Sequence, residues 1–199
     1  MTVNELIVDR RTFSSLREEC HTIFETGKRL PDFVFSHPFD RYFAFEYAYV
    51  YRPEFGLLVS RLSGLLGDES VRYLMIDPDP GEDYFSEMSF FGGISITPSL
   101  DGAERCLTGM SREGNVRRIL VGANIGAFWG ASLKWGIHCD RISWELAVIG
   151  VPKDIDVPAL SGIPCMNEGA IGRYMESQYH WSGHTAKIFT PRFLNNYAI

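Results

Sequence analysis

Closely spaced cysteine pairs, which hold metal clusters or cross-link small secreted domains, are missing from this sequence. The cysteines are Cys20, Cys106, Cys139 and Cys165, and no two of them form a CxxC pair. In a chain of 199 residues this spacing is typical of buried thiols in a reducing compartment. We therefore expect a cytoplasmic protein whose fold does not depend on disulfides.

A secretion signal and a membrane span are also missing. The start of the chain, "MTVNELIVDRR", has no basic segment followed by an apolar one. The longest run without a charged residue, from Ile119 to Leu133, is too short and too rich in glycine to cross a bilayer. No association with a membrane is expected.

The familiar cofactor and metal motifs are absent as well. Gly122, Gly126 and Gly130 lie four apart, but the lysine and the serine or threonine of a phosphate-binding loop do not follow them. In "DPDPGED" a calcium loop would need glycine where Glu82 stands and glutamate where Met88 stands. Nucleophile elbows and dinucleotide fingerprints are missing too. The sequence therefore predicts no cofactor and no metal site.

Histidine is scarce, with five residues in the chain. His180 and His184, in "HWSGH", have the spacing of two metal ligands on one face of a helix. Gly183 weakens a helix at this point, and no glutamate follows His180 as a hydrolytic zinc motif requires. We interpret one of these histidines as packed and the other as solvated.

Apolar residues are plentiful enough to build a core. Hydrophobic residues make up 45% of the chain, and charged residues 22%, which are ordinary values for a globular domain. Helical and extended patterns are mixed without the strand–helix alternation of a parallel sheet. We predict a single α+β domain over residues 1–199, with a largely antiparallel sheet and flanking helices.

The individual elements follow from periodicity and from turn residues. The predicted helices are "TFSSLREECHTIFETG", with Ser15 and Glu18 as a capping box, "FGLLVSRLSGLLGD", which ends at Gly67, "SLDGAERCLTGM" and "MNEGAIGRYMESQY". The tail "HTAKIFTPRFLNNYAI" is predicted to be irregular or helical, with an interruption at Pro191. The predicted extended segments are "MTVNELIV", "VRYLMID", "EMSFFGGISITP" after the turn "PDPGED", and the aromatic stretch Phe43–Tyr51, for which a helix is the alternative. The segment "VPKDIDVPALSGIPC" is expected to be an ordered loop.

The segment "KWGIHCDRISWELAVIG", from Lys134 to Gly150, collects several chemically versatile side chains. Its two halves alternate or run apolar on either side of "DRI", which predicts a β-hairpin. In such a hairpin Ile137 and Cys139 point to one face and His138 to the other. The main interpretation is therefore structural, with Asp140 and Arg141 at the turn.

A catalytic alternative uses the same hairpin. His138 would act as a base, oriented by Asp140 or Glu145 and assisted by Arg141. Cys139 would point away from His138, so the two do not form a nucleophile pair. This alternative predicts that the ionisable side chains meet in one cleft with shifted pKa values.

Negative charge is concentrated in the first half of the chain. The net charge is −6, and residues 1–100 hold 16 acidic and 9 basic residues. The excess lies between Asp68 and Glu87, where Arg72 is the only basic residue. Such a segment repels nucleic acid and attracts a basic protein partner. The alternative is a solvated loop that keeps the protein soluble. The predicted partner-binding residues are Asp77, Asp79, Glu82, Asp83 and Glu87, with Tyr84 and Phe85 as anchors.

The hairpin resembles one that recurs in small bacterial immunity proteins, which neutralise polymorphic toxins. The similar residues are Trp135, Gly136 and Ile137, then Asp140 and Arg141, then Glu145 and the apolar run Ala147, Val148 and Ile149. The resemblance implies stoichiometric inhibition of a toxin, and it assigns no binding residue.

Three classes of function follow, in order of preference. The first is a non-enzymatic acidic binding protein, most readily an immunity-type inhibitor of a basic toxin domain. The second is a small hydrolase or transferase that uses His138, Asp140, Arg141, His180 or His184. The third is a homo-oligomeric scaffold that pairs the aromatic stretch Phe43–Tyr51 across a two-fold axis, and it is compatible with the first.

Overall fold

A single antiparallel sheet organises the chain. The computed structural model describes residues 4–98, 122–178 and 183–199. Within them seven strands lie in the order β1-β4-β3-β5-β6-β7-β2, and every neighbouring pair is antiparallel. The strands are β1 Asn4–Leu6, β2 Arg41–Glu46, β3 Val71–Asp77, β4 Gly93–Ile96, β5 Ile125–Gly130, β6 Gly136–Asp140 and β7 Leu146–Val151.

Helices flank this sheet and confirm the predicted α+β class. Those of the described residues are α1 Arg10–Ile23, α2 Pro53–Leu66, α3 Glu82–Met88, α4 Val157–Ser161, α5 Glu168–Gln178 and α6 Gly183–Tyr197, together with a 3-10 helix at Tyr47–Tyr51. As predicted, α2 ends where Gly67 takes a left-handed conformation with φ 75°. The helix predicted at "SLDGAERCLTGM" lies outside the described residues.

The sheet is the middle of three layers, because side chains alternate between its two faces. One face packs against α2 through a cluster that includes Phe55, Leu58 and Ile137. The opposite face packs against α1 and α6 through a cluster that includes Leu16 and Phe193. This position between two helical layers explains why three strands are largely apolar and buried along their whole length: β5, β6 and β7.

Helix α1 begins earlier than the capping-box pattern predicted. Its N-cap is Asp9, whose Oδ2 accepts from the backbone N–H of Thr12 at 2.7 Å. Ser15 and Glu18 therefore lie inside the helix, and the predicted capping box is wrong. A short acceptor directly before the helix satisfies the free N–H groups of its first turn, so the later cap is not needed.

The aromatic stretch Phe43–Tyr51 is extended only at its beginning. Strand β2 ends at Glu46, opposite Leu146, the residue at which β7 begins. Tyr47 still donates its N–H to the carbonyl of Glu145 at 2.8 Å, and the chain then turns into the 3-10 helix. The predicted strand is too long because no residue of β7 precedes Leu146 to continue the pairing.

The predicted turn "PDPGED" and the predicted strand "EMSFFGGISITP" are both wrong in their bounds. The turn "PDPGED" does not lead into a strand at Glu87, because Glu82–Met88 forms α3. Helix α3 ends at Ser89, which adopts a left-handed conformation with φ 65°. The strand β4 begins only at Gly93, where an added Cβ would lie 2.4 Å from a methyl group of Leu16. Glycine at this position lets α1 lie directly on the sheet.

The predicted loop and the predicted break near the C-terminus are also wrong in part. Residues 152–165 contain the short helix α4, for which Asp156 accepts from the N–H of Ala159. Helix α6 continues through Pro191. Phe189 and Phe193 on either side of the proline are buried, and we attribute the continuity of the helix to this packing, which offsets the cost of a proline in a helix interior.

Gly126 offers a test of the packing between β3 and β5. An added Cβ would lie 2.3 Å from the hydroxyl oxygen of Tyr73, which is buried. We expect Gly126→Ala to lower the free energy of unfolding by about 1 to 3 kcal/mol through overpacking. Gly64→Ala is the matched control, because nothing lies within 4 Å of its added Cβ on the exposed face of α2. Urea denaturation measures both, and equal effects of the two substitutions would contradict this account.

Candidate partner-binding surface

The hairpin of residues 134–150 has the two faces that its alternation predicted. Strands β6 and β7 pair directly, with His138 opposite Val148 and Cys139 opposite Ala147. Ile137 and Cys139 belong to the core cluster below α2, whereas the ring of His138 faces Phe24 on the α1 side, 6.4 Å between centroids. The hairpin thus lies inside the sheet, with β5 beside β6 and β2 beside β7.

His138 is a neutral core residue in this arrangement. Its exposed fraction is 1%, and its Nδ1 has no hydrogen-bond partner among the described residues. Burial lowers the pKa of His138 to about 3, and the guanidinium of Arg29 adds to the effect. A side chain without solvent contact cannot take a proton from a substrate in this conformation.

The other ionisable side chains of the hairpin have separate surroundings. Asp140 is fully buried, and its Oδ1 accepts from the N–H of Ser143 at 2.8 Å. Burial raises the pKa of this carboxyl. Arg141 donates from Nε to the carbonyl of Ala123 at 2.9 Å, and Glu145 is exposed. In the described part of the chain no hydrogen bond joins His138 to either carboxylate, so the catalytic set is not brought together.

The described residues show no metal-binding arrangement, and part of the aromatic stretch named by the oligomer hypothesis is buried. His184 is exposed on α6, and His180 lies outside the described residues. In residues 4–98, 122–178 and 183–199 no three potential ligands are grouped around a common point. In the aromatic stretch, Phe45 and Tyr47 are buried within the fold, so they are not available to pair with a second copy.

The predicted acidic residues cluster around α3 and the end of β3, but three of them contact arginines. Asp77 is half-buried and accepts from Arg29 at 2.9 Å and from the side-chain amide of Asn124 at 3.2 Å. Asp79 lies 3.8 Å from Arg17, and Glu82 lies 2.7 Å from Arg10. The arginines come from α1 and the loop after it, which the charge count along the chain placed far from the acidic segment.

Asp83 and Glu87 remain without an ion pair among the described residues. They are exposed and lie four residues apart on α3, so they project from the same side of that helix. Helix α3 has no buried residue. We use the name acidic surface for Asp77, Asp79, Glu82, Asp83 and Glu87, in which five carboxylates face three guanidinium groups.

The two predicted anchors are half-buried and attach α3 to the sheet. The ring of Phe85 lies 4.5 Å from that of Phe91, which stacks on Phe13 of α1 at 4.2 Å. Tyr84 meets Phe90 edge-on at 5.9 Å. Each ring therefore offers a partner only part of its surface, and its main role is to fix the direction in which α3 projects its acids.

A cavity of about 220 Å³ opens beside the acidic surface, between α1 and the end of β3. The residues that line it are Arg17, His21, Thr26, Leu74, Met75, Ile76, Asp79 and Pro80. Sequence reasoning missed this cavity. One sign of it was present in the sequence, because Arg17 and His21 lie four residues apart on the polar face of α1. No local pattern indicated that the end of β3 would lie opposite these two residues.

Comparison of the chain with protein-family models, with curated proteins and with solved structures gives no match. None of the helices in the described ranges is long and apolar enough to cross a membrane.

Proposed function

We propose that this protein is a non-enzymatic acidic binding protein, and that it acts as an immunity-type inhibitor of a toxin with a basic active-site domain. The observation that carries the proposal is the exposed face of α3. There Asp83 and Glu87 stand without ion pairs among the described residues and adjoin three further carboxylates. The net charge of −6 has the sign needed to attract a basic protein.

The arginine contacts of the acidic surface are compatible with this role. Arg10 and Glu82 keep 73% and 62% of their side chains exposed, and exposed ion pairs contribute about 0 to 1 kcal/mol. A partner's lysine or arginine can replace such a contact at small cost. In the free protein, the ion pairs with α1 orient the carboxylates of Asp79 and Glu82 until a cation of the partner replaces the arginine.

A toxin that cuts nucleic acid needs a basic cleft to bind phosphate groups. An acidic surface that covers this cleft gains long-range attraction before contact, which raises the association rate constant. Dissociation depends more on the closely packed centre of an interface. The proposal therefore assigns Asp83 and Glu87 mainly to the rate of association.

The first experiment uses the product of the gene immediately upstream as the partner. Co-expression with this chain is expected to rescue growth from a toxic upstream product, and the two purified proteins are expected to form a 1:1 complex. A harmless upstream product that does not bind this chain would contradict the proposal.

A charge reversal then tests the surface. The double substitution Asp83→Lys and Glu87→Lys is expected to lower the association rate constant by roughly 10- to 100-fold at low salt, since steering changes on-rates over this range. The dissociation rate constant is expected to change much less. Biolayer interferometry at several salt concentrations measures both, and the effect is expected to shrink as ionic strength rises.

The matched control is Asp154→Lys with Glu176→Lys, two exposed acids away from α3 that carry the same change in net charge. Its association rate constant is expected to fall far less than that of the α3 variant. If both double variants slowed association equally, total charge would be responsible, and the assignment to α3 would be wrong.

A further inference from the structure

The cavity beside the acidic surface combines an apolar interior with charged groups. Leu74, Met75, Ile76 and Pro80 supply apolar atoms, and Arg17, His21, Thr26 and Asp79 supply polar ones. Its volume of about 220 Å³ is far larger than the roughly 10 to 15 Å³ that one water molecule requires. This composition suits a long side chain with an aliphatic stem and a charged end.

We infer that this cavity receives one lysine or arginine side chain of the protein partner, with Asp79 as its counter-charge and Arg17 as the internal cation that it displaces. The inference rests on the proposed function, because it assigns an occupant to the same acidic surface. It adds a specific contact to an interface whose exposed acids would otherwise contribute mainly to the rate of association.

The contact between Arg17 and Asp79 is loose enough to be exchanged. The distance from Nη1 to Oδ1 is 3.8 Å, and the two side chains are 43% and 73% exposed. The guanidinium carbon of Arg17 lies 5.7 Å from the ring centroid of Phe13, within the range of a cation–π contact. Arg17 makes this ring contact at the same time as the contact with Asp79, so it keeps one favourable contact when Asp79 takes a new partner.

The surrounding charges favour a cationic occupant over an anionic one. Arg17 and Asp79 cancel each other within the lining, and Arg29 is already bound to Asp77 at 2.9 Å. Nδ1 of His21 lies 3.3 Å from the hydroxyl of Thr26. Beyond the lining, α3 carries three exposed acids, Glu82, Asp83 and Glu87, and α1 carries two arginines, Arg10 and Arg11, so an incoming carboxylate or phosphate is disfavoured.

A small probe tests the cavity without any toxin. The full-length protein, labelled with ¹⁵N, is titrated by NMR with Nα-acetyl-arginine amide. The citrulline analogue, of the same shape but neutral, and Nα-acetyl-glutamate amide serve as comparison probes. We expect saturable shifts of the amides of Thr26, Leu74 and Ile76 with the arginine probe, and much weaker binding of the other two.

Two substitutions have opposite expected effects. Asp79→Asn is expected to weaken binding of the arginine probe up to about five-fold, the upper end of the range for one exposed ion pair. Arg17→Gln is expected to raise the affinity for the arginine probe, because the guanidinium that competes for Asp79 is absent. Asp154→Asn is the control for total charge and is expected to leave the affinity unchanged. Thermal unfolding of each variant is expected to match the parent protein, because Asp79 is largely exposed and its contact with the half-exposed Arg17 is loose.

Several outcomes would overturn the inference. Equal binding of the citrulline probe would remove the charge requirement, and preferential binding of the glutamate probe that is lost in Arg17→Gln would make the occupant an anion. The absence of saturable shifts would leave the cavity without a ligand of this class. The proposed function fails separately: it fails if the upstream product does not bind, even where the arginine probe occupies the cavity.

Discussion

Lowering the pH from 6.5 to 3 is expected to destabilise the folded protein by about 4 to 5 kcal/mol through His138 alone. The pKa of this side chain falls from 6.5 to about 3 on folding, chiefly because it is buried. Between these values the unfolded chain binds a proton that the folded protein does not, so stability falls by about 1.4 kcal/mol per pH unit as the pH decreases. The contribution is fully present above pH 6.5.

Asp140, on the same face of β6, acts in the opposite direction. Burial raises the pKa of its carboxyl above the ordinary 3.8. As the pH falls from that raised value toward 3.8, the folded protein takes up a proton before the unfolded chain does, and stability rises. The observed slope in this window is therefore expected to be shallower than His138 alone would give.

Two variants separate these contributions. His138→Leu replaces the imidazole by an apolar side chain beside Phe24 and Val148, and it is expected to flatten the loss of stability between pH 6.5 and 3. Asp140→Asn keeps an oxygen for the N–H of Ser143 and is expected to steepen that loss. Urea denaturation followed by tryptophan fluorescence at each pH gives the slopes. His184→Gln, at an exposed position, is the control and is expected to leave the slope unchanged.

An unchanged slope in His138→Leu would mean that other groups govern acid unfolding. The buried imidazole would then be protonated without loss of the fold, or be hydrated through motion of the loop that carries Arg29. Either result would reopen the catalytic interpretation, because a histidine that exchanges protons in the folded protein is accessible to a substrate.

Periodic patterns predicted those elements whose partners lie nearby in the sequence. The hairpin faces of Ile137 and His138 follow from strict alternation, and the end of α2 follows from Gly67. These predictions needed only local rules. For the same reason the antiparallel α+β class could be predicted without knowledge of the strand order.

The sequence could not predict the features that depend on distant contacts. The length of β2 is set by the start of β7. The place of α3 depends on the packing of Phe85 on Phe91. The pairing of Asp77 with Arg29 joins residues 48 apart, so a count of acids along the chain overstated the free charge. The cavity beside Asp79 was equally hidden, because α1 and β3 form it together.

Asp68 is the clearest case of a carboxylate that the charge count assigned to the surface, although it belongs to the interior. It is 8% exposed. Its Oδ2 accepts from Nε1 of Trp135 at 2.8 Å, and its Oδ1 accepts from the N–H of Ser132 at 2.6 Å. An added Cβ on Gly130 would lie 2.1 Å from this carboxylate, so glycine there makes room for the contact.

Asp68→Ala is expected to lower the free energy of unfolding by about 2 to 4 kcal/mol, because it leaves the buried Trp135 N–H and the Ser132 N–H without their acceptor. Asp68→Asn is expected to cost less, since one amide oxygen still accepts one of the two donors. Glu69→Ala, at the exposed neighbouring position, is expected to stay within about 0.5 kcal/mol of the parent. Urea denaturation at pH 7 measures all three.

A double-mutant cycle with Trp135→Phe assigns the effect to the indole contact. Once the indole N–H is absent, Asp68→Ala is expected to cost about 1 to 2 kcal/mol less than in the parent protein. Additive effects would show that Asp68 acts through Ser132 or through general packing. A change of less than 0.5 kcal/mol on Asp68→Ala would place this carboxylate in solvent. It would then join the charges available to a partner, and the acidic surface would extend beyond α3 to the turn before β3.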